Sequence, residues 1–404
     1  MEKTSELTPH HIEKYAEILF WGLCTARSER FRPNDIVMLR FDASALPLAE
    51  SLHRLLLERK CNVIVRIGLT WTMERNFYLA ASSRQLRFQP PGEAELYRHL
   101  NGSIYLHGPE SLTHLSDVDP KRIGTALVAL KSLREILENR EEQGLFGWTL
   151  CTFPTEELAK RAQISLPSYT EQVITACFLD RDDPLKHWKE IYKASKEIKK
   201  WLNSLAIRSY RIEGASLDLT INNGESRQWI GISGHNIPSF ELFVSPDWRG
   251  ARGRYYANQP SYRSGNYVER VNLIFDKGTI TAVEAEAGEA FVKKQIAIDR
   301  GAGRIGEFSL TDRRFSRIDR FMADTLFDEN YGGRYGNCHI ALGSSYSDTY
   351  AGDQRKLTKA LKRRLGFNDS ALHWDLVNTE QKRVTALLAG GRHITVYDDG
   401  QFAY

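Results

Sequence analysis

Two residues of the kinds that ligate metal ions, His373 and Asp375, are two positions apart in the stretch 371–377 (ALHWDLV). The apolar and β-forming residues around them predict a short strand. Side chains at i and i+2 of a strand point to the same face, so His373 and Asp375 should project together, with Trp374 and Leu376 directed into a core. An imidazole and a carboxylate held side by side provide half of a metal site.

Three upstream segments supply more side chains of this kind. They are 236–241 (NIPSFE), 304–308 (RIGEF) and 337–343 (NCHIALG), which contain Glu241, Glu307 and His339. Three carboxylates and two imidazoles suit Zn²⁺, Co²⁺ or Mn²⁺ better than a metal that selects thiolates. Two divalent ions among three carboxylates would leave a net positive centre, which lowers the pKa of bound water towards neutrality. Taken alone, each of these residues is more often a solvated charge or a satisfied polar group than a metal ligand, and it is their occurrence together in one order that favours a metal centre.

Taken together, the four segments resemble the aminopeptidase T / aminopeptidase S (PepS-type) family of dinuclear metallopeptidases. In that family N-x-P-x-x-E, R-x-G-E, H-x-A-L-G and late H-W-D segments supply the metal ligands, and the same order occurs here within residues 231–377. One departure is Phe240, where the family usually has glycine before the first glutamate. The resemblance implies two divalent metal ions (Zn, Co, Mn or Mg) and these ligands: Glu241, Glu307, His339, His373 and Asp375.

The resemblance also implies catalytic residues. Tyr346, seven residues after His339, corresponds to a tyrosine thought in the family to polarise or stabilise the reacting carbonyl. A phenol can donate a hydrogen bond to a developing oxyanion. Tyr350 is the competing candidate, and simple packing in a Ser-rich loop is the alternative for Tyr346. Glu241 and Glu307 are the candidates for transferring a proton.

The implied activity is the removal of N-terminal residues from peptide substrates by a metallo-aminopeptidase. Two other classes stay open, because ligands specify a metal better than a substrate. One is a different two-metal hydrolase, such as an amidase or a phosphoesterase; the other is a non-catalytic metalloprotein that binds peptides. The resemblance further implies a homodimer that encloses the active site in an internal cavity.

A second motif matches a nucleotide-binding sequence, but we expect that it does not bind a nucleotide. Residues 301–306 (GAGRIG) match the dinucleotide fingerprint G-x-G-x-x-G letter for letter. That fingerprint requires a helix directly after the glycines, so that its amides meet the pyrophosphate. Residues 307–310 favour a strand instead, so we reject a nucleotide cofactor and expect the glycines to let the loop approach the ion bound by Glu307. Cys338 is interpreted as a small buried hydrophobe rather than a sixth ligand.

Composition and charge indicate which kinds of partner and which cellular compartment to expect. The 404 residues include 55 basic and 51 acidic side chains, and this near balance requires neither nucleic acid nor a membrane. The basic runs 193–200 and 356–364 have helical spacing and are interpreted as solvated helix faces. Five cysteines without a C-x-x-C pair, and a charged N-terminal stretch without a signal peptide's apolar core, predict a cytoplasmic protein.

The length suggests two domains, which would position the ligands. Residues 1–206 alternate strands and helices, including a long predicted helix over 120–143, and indicate a mostly parallel α/β domain that ends in a charged connecting helix over 183–206. Residues 207–404 alternate strand-like runs with turn residues, including a hairpin through 276–278. The predicted fold class is therefore α/β, with an α+β metal-binding domain rich in antiparallel strands after the parallel domain.

Overall fold

The structure is a computed structural model that describes residues 6–404. Over these residues the helices are α1 Pro9–Ala26, α2 Leu46–Glu58, α3 Trp71–Ala80, α4 Ser83–Leu86, α5 Glu93–His99, α6 Pro120–Ala129, α7 Lys131–Glu142, α8 Glu156–Arg161, α9 Leu166–Ala176, α10 Pro184–Ser204, α11 Glu289–Gln295, α12 Thr325–Asp328 and α13 Lys359–Leu365. In this part of the chain, no helix has both the length and the apolar composition needed to cross a membrane.

The strands of the same residues are β1 Ile36–Phe41, β2 Asn62–Ile67, β3 Gly102–His107, β4 Gly147–Thr152, β5 Ile207–Gly214, β6 Asp218–Asn222, β7 Asn236–Ile237, β8 Glu241–Val244, β9 Asp247–Ala257, β10 Ser261–Arg263, β11 Asn266–Val268, β12 Val271–Asp276, β13 Thr279–Glu284, β14 Ile305–Thr311, β15 Asn337–Gly343, β16 His373–Asn378, β17 Lys382–Leu388, β18 His393–Asp398 and β19 Gln401–Phe402. They form one parallel sheet and several antiparallel ones, and the chain divides into two compact units.

The first unit comprises the residues up to 190, together with 232–239 and 322–326. It contains a five-stranded parallel sheet in the order β2-β1-β3-β4-β7. Consecutive residues of β1 are buried, as expected for a parallel strand that helices cover on both faces. The predicted mostly parallel N-terminal sheet is therefore confirmed.

One predicted helix of this unit is wrong in its extent. The chain does not continue as a single helix over 120–143; α6 ends at Ala129 and α7 begins at Lys131. At Leu130 between them, φ is −85° and ψ is −5°, so the helical hydrogen-bond ladder is interrupted. The two halves pack on different partners, α6 against α4 and α7 against α5. Tertiary packing thus overrides a continuous helical pattern in the sequence.

The second unit comprises residues 191–231, 240–321 and 327–404. It contains an eight-stranded antiparallel sheet, β13-β12-β9-β6-β5-β17-β18-β19, a four-stranded antiparallel sheet, β16-β15-β14-β8, and the ribbon β10-β11. The hairpin β12–β13 turns through Lys277 and Gly278, both with positive φ, and confirms the predicted connection. The predicted α+β character rich in antiparallel strands is confirmed, while the domain boundary at 206/207 stays a prediction.

The four-stranded sheet has one apolar and one polar face. Every residue of β14 and β15 is buried, and the alternation of side chains places Phe308, Leu310, Ile340 and Leu342 on the opposite face from the polar residues of the same strands. On β16, Trp374 and Leu376 are each only 1% exposed, whereas His373 and Asp375 are half-buried. The predicted alternation along residues 373–376 is therefore confirmed.

Trp374 should contribute to stability rather than to chemistry. Its ring centroid lies 6.0 Å from that of Phe291, and its Nε1 donates a hydrogen bond to Ser261 Oγ at 3.0 Å. We expect Trp374→Ala to lower the free energy of unfolding by about 3–5 kcal/mol, because it leaves a cavity in the apolar face, and Trp374→Phe to lower it less. Denaturant unfolding of the metal-free protein measures both. A loss below about 1 kcal/mol for the alanine variant would place this side chain outside the core.

Candidate metal centre

The five predicted ligands lie on the four strands of one sheet. Glu241 opens β8, Glu307 lies on β14, His339 on β15, and His373 and Asp375 on β16. The register pairs Glu241 with Thr311, Ser309 with His339, and Ala341 with Asp375. Because opposed residues of neighbouring strands share a face, all five side chains project from the polar face of the sheet. Residues far apart in sequence are thus brought together by strand register alone.

His339 is at the centre of the group. Its Nε2 lies 3.2 Å from Glu307 Oε1, 3.2 Å from Glu241 Oε2 and 3.8 Å from Asp375 Oδ1. His373 Nε2 lies 3.4 Å from Asp375 Oδ1 and 3.8 Å from Glu307 Oε2. The two oxygens of Glu307 therefore face different histidines.

Both histidines present Nε2 to the carboxylates. His373 Nδ1 lies 3.0 Å from the carbonyl oxygen of Ser344, which can only accept, so Nδ1 carries a proton and Nε2 is the nitrogen available as a ligand in the neutral ring. Burial alone would lower the pKa of His373, but Asp375 and Glu307 outweigh it and raise the pKa to about 9. For His339, burial is outweighed by Glu307, Glu241 and Asp375, and the pKa is again raised to about 9.

Burial and the neighbouring charged groups also shift the pKa values of the carboxylates. Burial, helped by the charges of Glu307 and Asp375, raises the pKa of Glu241 to about 7. Burial also acts to raise the pKa of Asp375, but the imidazoles of His373 and His339 outweigh it and hold the pKa at about 2. Without a cation, the cluster retains protons on its histidines, which indicates that this face requires positive charge.

The donor set fits divalent cations. Glu241, Glu307 and His339 each offer a ligand atom within 4.8 Å of the others, and so do Glu329, His339 and Asp375. Carboxylate oxygens and imidazole nitrogens on a rigid buried face are the ligands that Zn²⁺, Co²⁺ and Mn²⁺ accept. The residues of these two groups could hold such ions, and His373 Nε2 lies next to them, 3.4 Å from Asp375 Oδ1.

Glu329 is the residue that the sequence patterns missed. It follows the short helix α12 rather than lying on a strand, and its carbonyl oxygen accepts hydrogen bonds from Thr311 Oγ1 at 3.1 Å and Asn337 Nδ2 at 2.8 Å. No spacing rule connects it to the other ligands. In the sequence, the only indication of Glu329 was its acidic side chain within residues 231–377, the range that contains the four motifs. A glycine-rich turn follows it before His339.

The structure separates the two candidate tyrosines. The Tyr346 ring centroid lies 4.7 Å from that of His373, whereas Tyr350 packs with Phe367 in an apolar cluster. Tyr346 is 37% exposed, but the protein around its hydroxyl, together with the charges of Glu307 and Asp375, raises its pKa well above the usual value. A phenol with a raised pKa keeps its proton and is able to donate a hydrogen bond at the border of the cluster.

The glycine motif, residues 301–306, lies where the backbone of β14 comes very close to the end of β15. Strand β14 follows it, and no helix begins there, so the reason for rejecting a nucleotide site is confirmed. Gly306 sits at an irregularity of β14, where a Cβ atom would lie 2.3 Å from Ser344 O and 2.4 Å from Gly343 O. Only glycine allows β14 to approach the end of β15 this closely, directly before Glu307. Cys338 is fully buried on the face opposite to His339, as predicted.

Comparisons with known proteins indicate the same family as the four sequence motifs. The sequence profile described as thermophilic metalloprotease (M29) matches residues 8–402. Aminopeptidase T from Thermus aquaticus is 27% identical over 71% of this chain and 73% of its own length, and aminopeptidase 2 from Geobacillus stearothermophilus is 24% identical over 97% and 98%.

A solved structure described as wild-type AmpT from Thermus thermophilus shares the fold, with a TM-score of 0.79 and 20% identity over 98% of this chain and 99% of that one. The resemblance inferred from the four motifs is thereby confirmed. On this evidence the chain belongs to the M29 metalloprotease family, the group of the aminopeptidase T and aminopeptidase S relatives, and is a peptide hydrolase.

Proposed function

We propose that this metalloprotease is an aminopeptidase that removes N-terminal residues from peptides at a site with two divalent cations. The observation that carries the proposal is the convergence of Glu241, Glu307, His339, His373 and Asp375 on one buried sheet face. The names of the relatives support the substrate class, since the curated proteins that match are aminopeptidases.

The cations, when bound, would activate a water molecule and polarise the scissile carbonyl. The protein's own residues set the geometry. The Ser344 carbonyl fixes the ring of His373, and Ser309 Oγ donates a hydrogen bond to Glu241 Oε2 at 2.7 Å. Glu307 lies between the two histidines, and Glu241 or Glu307 would accept a proton from water in the site. Tyr346 would donate a hydrogen bond to the oxyanion.

The cellular setting is part of the proposal. The five cysteines are all unpaired, which is consistent with a reducing compartment such as the cytoplasm. We also propose a homodimer. Amidase or phosphoesterase activity is the competing function, because the ligand set by itself does not select a substrate.

The function is tested by metal-dependent hydrolysis of a substrate panel. We expect cleavage of aminoacyl chromogenic amides, no cleavage of phosphoesters or of N-acetylated amides, loss of activity after exhaustive chelation, and recovery with Co²⁺, Zn²⁺ or Mn²⁺. Metal content is measured by elemental analysis on the same samples. Full activity in protein shown to contain no metal would rule out the metal mechanism. Cleavage of phosphoesters but not amides would establish the competing function.

Tyr346→Phe separates hydrogen-bond donation from packing. It removes only the hydroxyl, so kcat should fall by ~10²–10³, with kcat/KM falling in parallel, while metal content and thermal midpoint stay close to wild type. Tyr350→Phe is the matched control, because its ring packs with Phe367 away from His373, and it should be close to neutral. The measurement is kcat on an aminoacyl amide. Near-full kcat in Tyr346→Phe would reduce this tyrosine to packing, and a large loss in Tyr350→Phe would assign the role to the other residue.

A further inference from the structure

A buried hydroxyl lies directly against one of the predicted metal ligands. Ser309 is fully buried on β14, and its Oγ donates a hydrogen bond to Glu241 Oε2 at 2.7 Å. The carbonyl oxygen of Leu242 is a second acceptor, at 3.4 Å. A hydroxyl has one proton to donate, and the shorter contact, which is made to a carboxylate, is the stronger hydrogen bond. The hydroxyl of Ser309 is therefore directed at Glu241.

Strand register places this hydroxyl on the polar face of the sheet. Ser309 is paired with His339 across β15, so the two side chains share that face. On the other side of β14, Thr311 is paired with Glu241 across β8. Glu241 is therefore the diagonal neighbour of Ser309, a separation that a long side chain is able to span. The contact follows from the register that brings the ligands together.

The backbone on either side of the Glu241 side chain is held by the protein. Phe240 N donates a hydrogen bond to Asn330 Oδ1 at 2.6 Å. A Cβ atom at Gly231 would lie 2.1 Å from the carbonyl oxygen of Glu241, so this close approach requires glycine. A glutamate side chain still has three rotatable bonds beyond this fixed backbone, and the contacts of its carboxylate decide which rotamer it takes.

Two polar hydrogen donors contact that carboxylate in the part of the chain that the structure describes. One is Ser309 Oγ, and the other is His339 Nε2, which lies 3.2 Å from Glu241 Oε2. Nε2 is also the nitrogen that His339 would turn to a cation, and a nitrogen that ligates a cation has no proton to donate. With a cation bound, Ser309 is therefore the donor that continues to hold Glu241.

The hydrogen bond also limits how the carboxylate is presented. The two oxygens of a carboxylate offer about four acceptor positions. Ser309 occupies one of them on Oε2, and the others stay available to a cation. A carboxylate whose orientation is already fixed loses less conformational freedom when a cation binds, so the affinity for the cation is higher.

We infer that Ser309 is a positioning residue, which fixes the orientation of the Glu241 carboxylate and thereby raises the affinity of the site for a divalent cation. The inference rests on the cation site of the proposed function and adds to it a residue that is not itself a ligand. Groups that hydrogen-bond to metal ligands typically change metal affinity by about 10–100-fold, and the effect of Ser309 should lie in this range.

The test is Co²⁺ affinity, measured by competition with a chromophoric chelator, together with the visible spectrum of the Co²⁺-loaded protein. Ser309→Ala removes the hydroxyl and keeps Cβ, so it should weaken Co²⁺ binding by about 10–100-fold. It should also change the spectrum, because the spectrum depends on how the ligands are arranged around the ion. Ser309→Thr keeps the hydroxyl on a residue that favours strands, and it should restore much of the affinity.

Thr152→Val is the matched control for the loss of a buried hydroxyl. Thr152 is 1% exposed, and its Oγ1 donates a hydrogen bond to Asp324 Oδ1 at 3.0 Å, a carboxylate outside the predicted ligands. This variant removes the same kind of hydrogen bond and should leave the Co²⁺ affinity and the spectrum unchanged. Circular dichroism on each metal-free variant verifies that the fold is kept.

A double-mutant cycle tests whether Ser309 acts through Glu241. Glu241→Asp keeps the negative charge but shortens the side chain by one methylene, which withdraws the carboxylate from the hydroxyl. In that background, Ser309→Ala should change Co²⁺ affinity by less than about twofold, because the hydrogen bond is already lost. An equal fold-loss in both backgrounds would show that Ser309 acts independently of Glu241 and would overturn the inference.

The remaining outcomes separate failure of the inference from failure of the proposed function. Absence of Co²⁺ binding in the wild type would contradict the proposed metal site itself. Binding by the wild type, with equal affinity and an equal spectrum in Ser309→Ala, would contradict the role of Ser309 alone. A loss in Ser309→Ala that Ser309→Thr does not reverse at all, or that Thr152→Val reproduces, would assign the effect to packing and overturn the inference.

Discussion

Buried carboxylates on one face of a sheet repel one another unless positive charge lies among them. Glu241 and Glu307 are 5% and 3% exposed, and Asp375 is half-buried beside them. In the metal-free protein the two imidazoles supply this charge, since the carboxylates raise the pKa values of His339 and His373 to about 9. Divalent cations would replace these protons and neutralise the carboxylates more completely. The same crowding that makes the face costly without a cation gives it affinity for one.

The sheet can hold this arrangement because packing on its apolar face fixes the register of its strands. A slip of one residue would move Trp374 to the polar face and Asp375 into the apolar core, at a large cost in both directions. Gly306 brings the end of β15 close to β14 just before Glu307, at a position where any side chain would clash with backbone oxygens. Ser309, Thr311 and Asn337 then hold Glu241 and the backbone of Glu329. A rigid scaffold and its hydrogen bonds position the ligands before any ion arrives.

The sequence allowed part of this to be predicted. The pair His373 and Asp375 could be placed by the two-residue period of a strand, and the segments of Glu241, Glu307 and His339 by their order. The period along β16 also identified Trp374 as core, which its burial confirms. The location of each candidate ligand in space depended on strand pairing between distant segments, which local patterns do not encode.

Other features could not be predicted from any local sequence rule. Glu329 follows a four-residue helix, and its position results from hydrogen bonds to Thr311 and Asn337. The choice between Tyr346 and Tyr350 required knowing which ring contacts His373. The break at Leu130 arises because α6 and α7 pack on different helices.

The most direct measurement is anomalous X-ray diffraction from crystals of catalytically active protein, with data collected on both sides of the absorption edge of the bound metal. Two anomalous peaks are expected on the polar face of the β16-β15-β14-β8 sheet, within coordination distance of Glu241, Glu307, His339, His373 and Asp375 and separated by about 3.5–4 Å. Active crystals with no anomalous peak on that face, or with the metal bound elsewhere, would contradict the proposed metal centre.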